Sequence, residues 1–359
     1  MRRRISLLAA LTATLSVGAL ALAGPATAVP RDFFGIAGGG FHSSSDVERM
    51  GKGNVGSLRF LISWPSVETA DDQFDFSAVD RFMGDLAAAG IQPFPFVFGT
   101  PGYVNSDSLE MPVGSTADEG EWREFMRTLV ARYGQGGTYW TTVFPTQHPG
   151  DQPMPPDAYQ IWNEENAVKH VDKPDPAGYA RLLAISRNAI ASEDPGAEIV
   201  LGGMFGTPRR QGGLKATSFL KRMYNSPGVK ESFDGVALHP YSPDVAGIKK
   251  QIEKVRKVLK KKKDKGAEVW VTELGWGSKK KGRLGVGKKK QAKLLKGSFK
   301  LLKKKSGKWN IGGVMWYTWR DSSAQSAACD WCRTAGLMKA NGTKPKPSFK
   351  AFVKFTGGS

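Results

Sequence analysis

The sequence predicts a single-domain α/β protein with the fold of a (β/α)8 barrel. Short apolar runs rich in branched and aromatic residues alternate with amphipathic runs of period near 3.6, at a spacing suited to β/α units. After removal of a predicted leader about 330 residues remain, enough for one such barrel with a full core. An open doubly wound sheet is the alternative. It calls for a Gly-rich phosphate turn after its first strand, and Gly38–Gly40 does not match that fingerprint.

The predicted elements follow one another in strict alternation from the second strand onward, with no internal repeat and no second domain. The eight strands are expected at 33–37, 57–63, 91–98, 158–162, 198–202, 235–239, 268–272 and 311–316. Helices are expected at 76–88, 120–133, 176–191, 214–224, 246–262, 287–304 and 348–355.

The N-terminus has the pattern of a secretory signal peptide. Arg2, Arg3 and Arg4 precede an apolar run at 5–23, and Ala26-Thr27-Ala28 supplies small residues for cleavage. We therefore expect a signal peptide at 1–28 and a catalytic domain at 29–359. A transmembrane anchor is less consistent with this small-residue exit, because no charged stop-transfer segment follows. The prediction is a secreted, extracellular protein without stable membrane insertion.

The two cysteines lie in one short loop, Cys329 and Cys332, with Asp330 and Trp331 between them. In a secreted chain this spacing favours a structural disulfide. A redox Cys-x-x-Cys lacks a thioredoxin-like context here, and a metal site needs more ligands than the loop holds.

The formal net charge of +19 is concentrated in one part of the chain. Between Lys249 and Lys308 there are 24 Lys and Arg but only 4 Asp and Glu. The simplest interpretation is the solvated outer face of two barrel helices. A field of this strength also draws polyanions, such as an acidic polysaccharide or wall polymer. Nucleic acid is not expected, because the lysines lack interleaved aromatic residues and no binding module is present.

Two predicted strands end in a glutamate. The strand at 158–162 runs into Asn163 and Glu164, and the strand at 268–272 runs into Glu273. A lone pair of this kind is more often a polar loop, but polar groups at the edge of a packed sheet cost free energy unless something binds there. In a barrel the carboxyl ends of all strands meet at one rim. Two glutamates facing each other across that rim are the catalytic pair of a retaining glycosidase.

With these strand ends in place, the sequence resembles the clan A glycoside hydrolases, most closely the family 39-like and family 5-like branches. Each three-residue motif alone is weak, but their joint occurrence in the correct strand order is specific, and it covers essentially the whole mature chain. The motifs are Leu58-Arg59 with Trp64 and Glu68, Trp162-Asn163-Glu164, His239-Pro240-Tyr241, Thr272-Glu273-Leu274-Gly275-Trp276, and Trp316.

The resemblance implies a role for each matched residue. Glu164 becomes the general acid/base and Glu273 the nucleophile, one protonated and one ionised. Arg59 and Tyr241 are placed to keep Glu273 ionised and oriented. For Arg59 an internal salt bridge is the structural alternative.

Three further residues are implied to contact the substrate. Asn163 would bind the sugar 2-hydroxyl, and Trp316 would form the apolar floor beneath the ring. His239 is either a substrate contact or a hydrogen-bonded wall residue. Glu165 departs from the family pattern, where many relatives have Pro, and both Glu165 and Glu68 are expected to be surface or loop carboxylates.

The sequence thus predicts a secreted retaining glycoside hydrolase that cleaves β-O-glycosidic bonds of a polysaccharide or oligosaccharide by double displacement. It is expected to be a monomer that needs no metal or other cofactor. A catalytically weak barrel that binds carbohydrates or wall polyanions is the alternative outside the enzymes, and a transglycosylase is the alternative within them.

Overall fold

The computed structural model describes residues 29–208, 212–322, 329–342 and 344–359. The predicted signal peptide at 1–28 lies outside these residues and stays a prediction.

Within the described residues, eight parallel strands form a closed barrel. Each strand pairs with its neighbours in chain order, and the last strand pairs with the first through Phe34↔Val314 and Ala37↔Tyr317. The predicted (β/α)8 fold is confirmed. The strands are β1 (Phe34–Ala37), β2 (Ser57–Ser63), β3 (Gln92–Phe98), β4 (Ala158–Ile161), β5 (Glu198–Val200), β6 (Gly235–His239), β7 (Glu268–Leu274) and β8 (Ile311–Tyr317).

Helices surround the barrel, and several begin at side chains that cap them. Ser115, Asp175 and Asp244 accept hydrogen bonds from backbone N–H groups of the first turn, which lack intrahelical partners. The main helices are α1 (Ser44–Lys52), α2 (Ser77–Ala88), α3 (Thr116–Tyr133), α4 (Pro176–Glu193), α5 (Ala216–Met223), α6 (Val245–Lys261), α7 (Lys288–Trp309) and α8 (Pro347–Thr356).

The sequence pattern did not predict α1. Its sequence is mostly polar, and among its apolar residues only Val47 and Met50 are buried, one helical turn apart. Two residues are too few to establish a period. Short elements in the loops were also missed, among them the antiparallel pair Glu68–Ala70 and Gln73–Phe74 and the two-residue strand Met204–Phe205.

The core has two layers, because successive side chains of a strand point to opposite faces. Most apolar side chains pack between the strands and the helices. A second, smaller cluster fills the inside of the barrel, with Phe94 stacked on Trp270 at a centroid distance of 4.9 Å. Its members come from almost every strand: Ala37, Phe94, Ala158, Val200, Ala237 and Met315, with Trp270 and Tyr317 packed against them.

The basic segment lies where the sequence placed it, on α6 and α7, which pack side by side. Their lysines are mostly exposed, while Ile248, Ile252, Leu295 and Phe299 face the core. Among the described residues no helix combines the length and the apolar character needed to cross a membrane.

Candidate active site

The carboxyl ends of the strands bring the two predicted glutamates together. One oxygen of Glu164, one oxygen of Glu273 and a ring nitrogen of His239 lie within 4.8 Å of one another. The glutamate side chains are 12% and 13% exposed, so solvent reaches both carboxylates from the rim while the rest of each side chain is buried.

Unusual backbone geometry positions Glu164. Trp162 and Glu164 have φ angles of 69° and 48°, the left-handed region that non-glycine residues rarely adopt. The Glu164 N–H donates to the Gly202 carbonyl at 2.7 Å, which ties this turn to the end of β5. Backbone strain of this kind persists only where the surrounding structure holds it, and it clusters at functional sites.

Glu273 owes its direction to an irregularity in β7. Thr272 already faces inward, where its hydroxyl lies 3.1 Å from Nε2 of His239, so strict alternation would turn Glu273 outward. The pairing of β7 with β8 shifts register between Val271 and Leu274. A bulge of this type re-aims side chains, and Glu273 consequently faces the same rim as Glu164.

Two donors hold the Glu273 carboxylate. Arg59 donates from its Nη1 to Oε1 at 2.8 Å, and the Tyr241 hydroxyl donates to Oε2 at 2.6 Å. Hydrogen bonds of this length to a carboxylate are strong and fix its orientation. The arrangement suits a nucleophile, the role that the resemblance implied for Glu273.

The guanidinium of Arg59 is itself fixed on every side. Its Nε donates to Gln160 at 2.8 Å, its Nη2 donates to Asn163 Oδ1 at 2.7 Å, and its plane lies 3.9 Å from the ring centroid of Phe96. At 1% exposure Arg59 is a buried cation whose charge is matched by Glu273. The internal salt bridge and the orienting role expected of Arg59 are therefore both fulfilled by its one contact with Glu273.

The Glu164 carboxylate lies between two histidines. His239 Nδ1 is 2.8 Å from Oε1, and His170 Nε2 is 3.1 Å from Oε2. Burial raises the pKa of the Glu164 carboxyl, but the hydrogen bonds from His170 and His239 outweigh it, so the pKa lies well below the usual value.

His239 belongs to the wall of the site and does not offer a free face to a substrate. It is fully buried, and its two ring nitrogens contact Glu164 and Thr272. Gly203, with φ of 77°, leaves room for the ring, since a Cβ there would lie 2.3 Å from His239 Nε2. The structure thus favours the hydrogen-bonded alternative over the predicted substrate contact.

The β8 aromatic residue that faces the inside of the barrel is Tyr317, one position after the predicted Trp316. Trp316 is fully buried in the outer core layer, where its Nε1 donates to the Ala335 carbonyl at 3.1 Å. The next residue, Tyr317, packs against the inner cluster instead. Burial, together with the charges of Glu273 and Glu164, raises the pKa of Tyr317 to about 12. Tyr317, and not Trp316, is the β8 aromatic beside the two carboxylates.

The cysteine loop adds another aromatic side chain to this rim. Trp331 contacts Tyr241 edge-on at a centroid distance of 4.9 Å and Tyr317 at 6.1 Å. The Cα atoms of Cys329 and Cys332 are 5.2 Å apart, a separation typical of disulfides. The disulfide between these cysteines stays a prediction. It would close the loop that carries Trp331 into the site.

Four residues of the site were not predicted as functional: Gln160, His170, Tyr317 and Trp331. The period of two along a strand could have identified Tyr317, and a polar residue inside an apolar strand could have identified Gln160. His170 and Trp331 lie in loops, where no periodicity relates a residue to the barrel axis.

Within the part of the chain that the structure describes, two groups of side chains have ligand atoms close enough together to hold a cation. They are Glu164, His239 and Glu273 in the site, and Glu68, Asp71 and Glu121 at a second place. In the first group the Arg59 guanidinium already neutralises Glu273, and a fixed cation repels a second one. In the second, the Glu68 oxygens accept hydrogen bonds from Trp64 Nε1 and from the Asp72 N–H. The absence of a metal or cofactor remains an expectation.

The expectation that Glu165 and Glu68 are surface or loop carboxylates is wrong. Glu68 is 2% exposed and Glu165 is fully buried. Among the described residues neither oxygen of Glu165 has a hydrogen-bond partner. Burial raises the pKa of the Glu165 carboxyl to about 8; a weak interaction with its own backbone N–H opposes this rise, and the charge of Glu164 adds to it.

Because Glu165 is a buried acid, we expect the stability of the protein to depend on pH. The pKa of Glu165 in the folded chain exceeds its ordinary value of 4.5. The contribution of this carboxyl to the free energy of unfolding is therefore fully present below about pH 4.5 and is lost as the pH rises through 8. We expect Glu165→Met to unfold at higher urea than the wild type at pH 8 and to lose most of this advantage at pH 5. The expected difference is roughly 2–5 kcal/mol at the higher pH.

The measurement is urea unfolding of both proteins at the two pH values, with Glu124→Met on the surface of α3 as a matched control. An equal stability difference at both pH values would contradict the burial of an uncompensated acid at this position.

Comparisons with known proteins agree with this fold. Residues 185–352 match the family model described as glycosyl hydrolase catalytic core. A comparison with curated proteins gives no match. Among solved structures, a family 39 glycoside hydrolase from Bacteroides cellulosilyticus WH2 is similar with a TM-score of 0.67 and 18% identity, covering 91% of this chain and 63% of that one.

Two other solved structures show the same fold. A family 39 beta-xylosidase from Caulobacter crescentus has a TM-score of 0.64 and 19% identity, covering 93% of this chain and 73% of that one. A family 5 subfamily 18 variant from Bifidobacterium longum, in complex with Manβ1-4GlcNAc, has a TM-score of 0.61 and 13% identity, covering 90% and 78%.

Residues 185–352 thus resemble a glycosyl hydrolase catalytic core, and the closed barrel has the same fold as these family 39 and family 5 structures. The resemblance to families 39 and 5 that the sequence motifs indicated is confirmed at the level of the fold.

Proposed function

We propose that this protein is a secreted retaining glycosidase that cleaves β-O-glycosidic bonds by double displacement. The observation that carries the proposal is the approach of the Glu164 and Glu273 oxygens to within 4.8 Å. Retaining enzymes hold their two carboxyl groups about 5–5.5 Å apart, whereas inverting enzymes leave about 6.5–9.5 Å for a water molecule.

Each carboxylate has a distinct task. In the first step the protonated form of Glu164, which the histidine hydrogen bonds disfavour, gives its proton to the glycosidic oxygen. The bond between that oxygen and the anomeric carbon breaks as Glu273 forms a bond to the same carbon. In the second step a water molecule loses a proton to Glu164 and attacks the anomeric carbon, which releases Glu273. Arg59 and Tyr241 hold Glu273 in place throughout.

The substrate proposal is a β-xyloside or β-mannoside. It rests on two structural neighbours, one named as a beta-xylosidase and the other in complex with Manβ1-4GlcNAc. Tyr241, Tyr317 and Trp331 offer aromatic surfaces beside the carboxylates, which suit the apolar faces of sugar rings. We expect the mature enzyme to begin at Val29 and to act as a monomer.

The test is the stereochemistry of the first product. Proton NMR of the reaction with 4-nitrophenyl β-xyloside, β-mannoside and β-glucoside should show the β-anomer first, before mutarotation. Initial appearance of the α-anomer would contradict the double displacement. Turnover of none of these, nor of a wider glycan panel, would favour the binding-only alternative.

A second activity follows from the charge of the outer helices. On α7 the exposed Lys289, Lys293, Lys296 and Lys300 are spaced three or four residues apart, so they form one row about 4.5–6 Å apart along the axis. Among the described residues the ion pairs of α6 and α7 involve only Lys249 with Glu253. We infer that this row binds an acidic polysaccharide and holds the enzyme near its substrate.

Changing those four lysines to glutamine should weaken binding to polygalacturonate roughly tenfold or more at low salt. The matched control changes Lys221, Lys230, Lys350 and Lys354, which are also exposed and remove the same charge. Binding is measured by co-sedimentation, with neutral xylan and double-stranded DNA as comparison polymers. Equal losses in the two variants, or tighter binding to DNA than to polygalacturonate, would contradict a carbohydrate-binding row.

A further inference from the structure

His170 lies in the loop after β4, 24% exposed, and contacts the proposed acid from the solvent side. Its backbone carbonyl accepts a hydrogen bond from Trp162 Nε1 at 2.8 Å, and its ring meets Phe98 edge-on at a centroid distance of 6.3 Å. The bond from Trp162 holds the backbone of His170 and Phe98 contacts its ring, so the direction of the ring toward Glu164 is a property of the folded loop.

The hydrogen-bond chain behind His170 has a fixed direction. Arg59 has only donors, so the atom of Asn163 that faces it at 2.7 Å must be the acceptor Oδ1. The other end of that amide, Nδ2, then faces His170 Nδ1 at 3.2 Å and donates to it. A nitrogen that accepts carries no proton, so the ring proton is on Nε2, which lies 3.1 Å from Glu164 Oε2.

We propose that His170 is a positioning residue that donates its Nε2–H to Oε2 of Glu164 and so fixes the direction of this carboxyl group. Oε1 is the oxygen 2.8 Å from His239, and His239 in turn lies 3.7 Å from Glu273. With one histidine against each oxygen, the Glu164 carboxyl group is held beside Glu273, the arrangement that the proposed double displacement needs. The proposal rests on that function.

The donation also affects the pH profile. It favours the ionised form of Glu164, and its loss should raise the pH at which the acid loses its proton. The other groups that face Glu164 are the same in the wild type and in a His170 variant. A difference between the pH profiles of the two proteins therefore reports the contribution of His170 alone. These groups are His239, Glu273, Arg59, Tyr241, Tyr317 and the neighbouring Glu165.

Two variants separate the donor from the ring. His170→Phe keeps a ring against Phe98 but has no donor, whereas His170→Gln keeps both an acceptor for Asn163 and a donor for Glu164. We expect His170→Phe to move the basic limb of the kcat/KM profile upward by about one pH unit. It should also slow a 4-nitrophenyl β-glycoside more than a 2,4-dinitrophenyl one, whose departure needs little acid. His170→Gln should restore both properties toward the wild type.

The control is His148→Phe, a matched change at a partly buried surface residue on the far loop before β4. An unmoved basic limb in His170→Phe, or equal behaviour of the Phe and Gln variants, would overturn the proposal. Retention of configuration in the wild type with an unchanged His170→Phe profile rejects this inference alone, while inversion rejects the proposed function itself.

A second measurement needs no substrate. In long-range proton–nitrogen NMR spectra of ¹⁵N-histidine-labelled protein, His170 should show the tautomer with Nε2 protonated, and Asn163→Ala should weaken that preference. The Nδ1-protonated tautomer in the wild type would contradict the chain from Arg59 to Glu164.

Discussion

Replacing Glu273 with alanine should leave a folded protein that hydrolyses essentially nothing. We expect kcat to fall on the order of 10⁴-fold or more, because the nucleophile is lost and no neighbouring group can take its place. Arg59 and Tyr241 both donate to this carboxylate. Arg59 has no nucleophilic atom, and burial together with the charge of Glu273 raises the pKa of the Tyr241 hydroxyl, which makes it a poor nucleophile. The measurement is steady-state hydrolysis of the 4-nitrophenyl glycoside on which the wild type is most active.

Loss of the carboxylate also leaves Arg59 without its counter-charge, so the folding of this variant must be checked separately. Glu273→Gln keeps the shape and an oxygen acceptor for Arg59, and it should melt close to the wild type while remaining inactive. Glu48→Ala, an exposed glutamate on α1 with a 67% exposed side chain, is the matched control and should retain full activity. Wild-type turnover by either Glu273 variant would refute the nucleophile assignment.

Replacing Glu164 with alanine should have an effect that depends on the leaving group. Hydrolysis of substrates with poor leaving groups should fall roughly 10²- to 10⁴-fold, the usual contribution of a general acid. Dinitrophenyl glycosides should still form the glycosyl-enzyme, because their leaving group needs no proton. Release from Glu273 then becomes slow, since no base activates the water molecule.

Added azide distinguishes this outcome from simple damage to the site. Azide needs no general base, and it fits the space that the missing carboxylate leaves. It should accelerate turnover of dinitrophenyl glycosides by Glu164→Ala and yield the β-glycosyl azide, with no acceleration of the wild type. An α-glycosyl azide, or no response to azide together with equal loss on all leaving groups, would contradict the acid/base assignment of Glu164.

The barrel and the catalytic pair were predictable because they follow from regular patterns. The apolar strands have a period of two and their polar ends share one rim. The sequence therefore located Glu164 and Glu273, and the structure brings their oxygens to within 4.8 Å. The role of each individual side chain was less predictable from the sequence. Trp316 and Tyr317 are adjacent, and only the strand register decides which one faces the interior.

Other parts of the site depend on departures from regularity. Glu273 faces inward because β7 changes register near its end, and Glu164 lies on a turn with left-handed backbone. His170 and Trp331 come from loops whose course no local pattern determines. Glu165 follows the acid and resembles a loop carboxylate in sequence, but the turn directs it into the core. Tertiary packing decides each of these positions.

Chemical capture of the glycosyl-enzyme is the most direct test of the proposal that Glu273 is the nucleophile. The wild type is incubated with activated 2-deoxy-2-fluoro β-xyloside, β-mannoside and β-glucoside, digested, and analysed by peptide mass mapping. We expect a covalent sugar on Glu273, with inactivation that a competing glycoside slows, and the reactive configuration identifies the sugar. A label on Glu164 or on any residue other than Glu273 would contradict the nucleophile assignment.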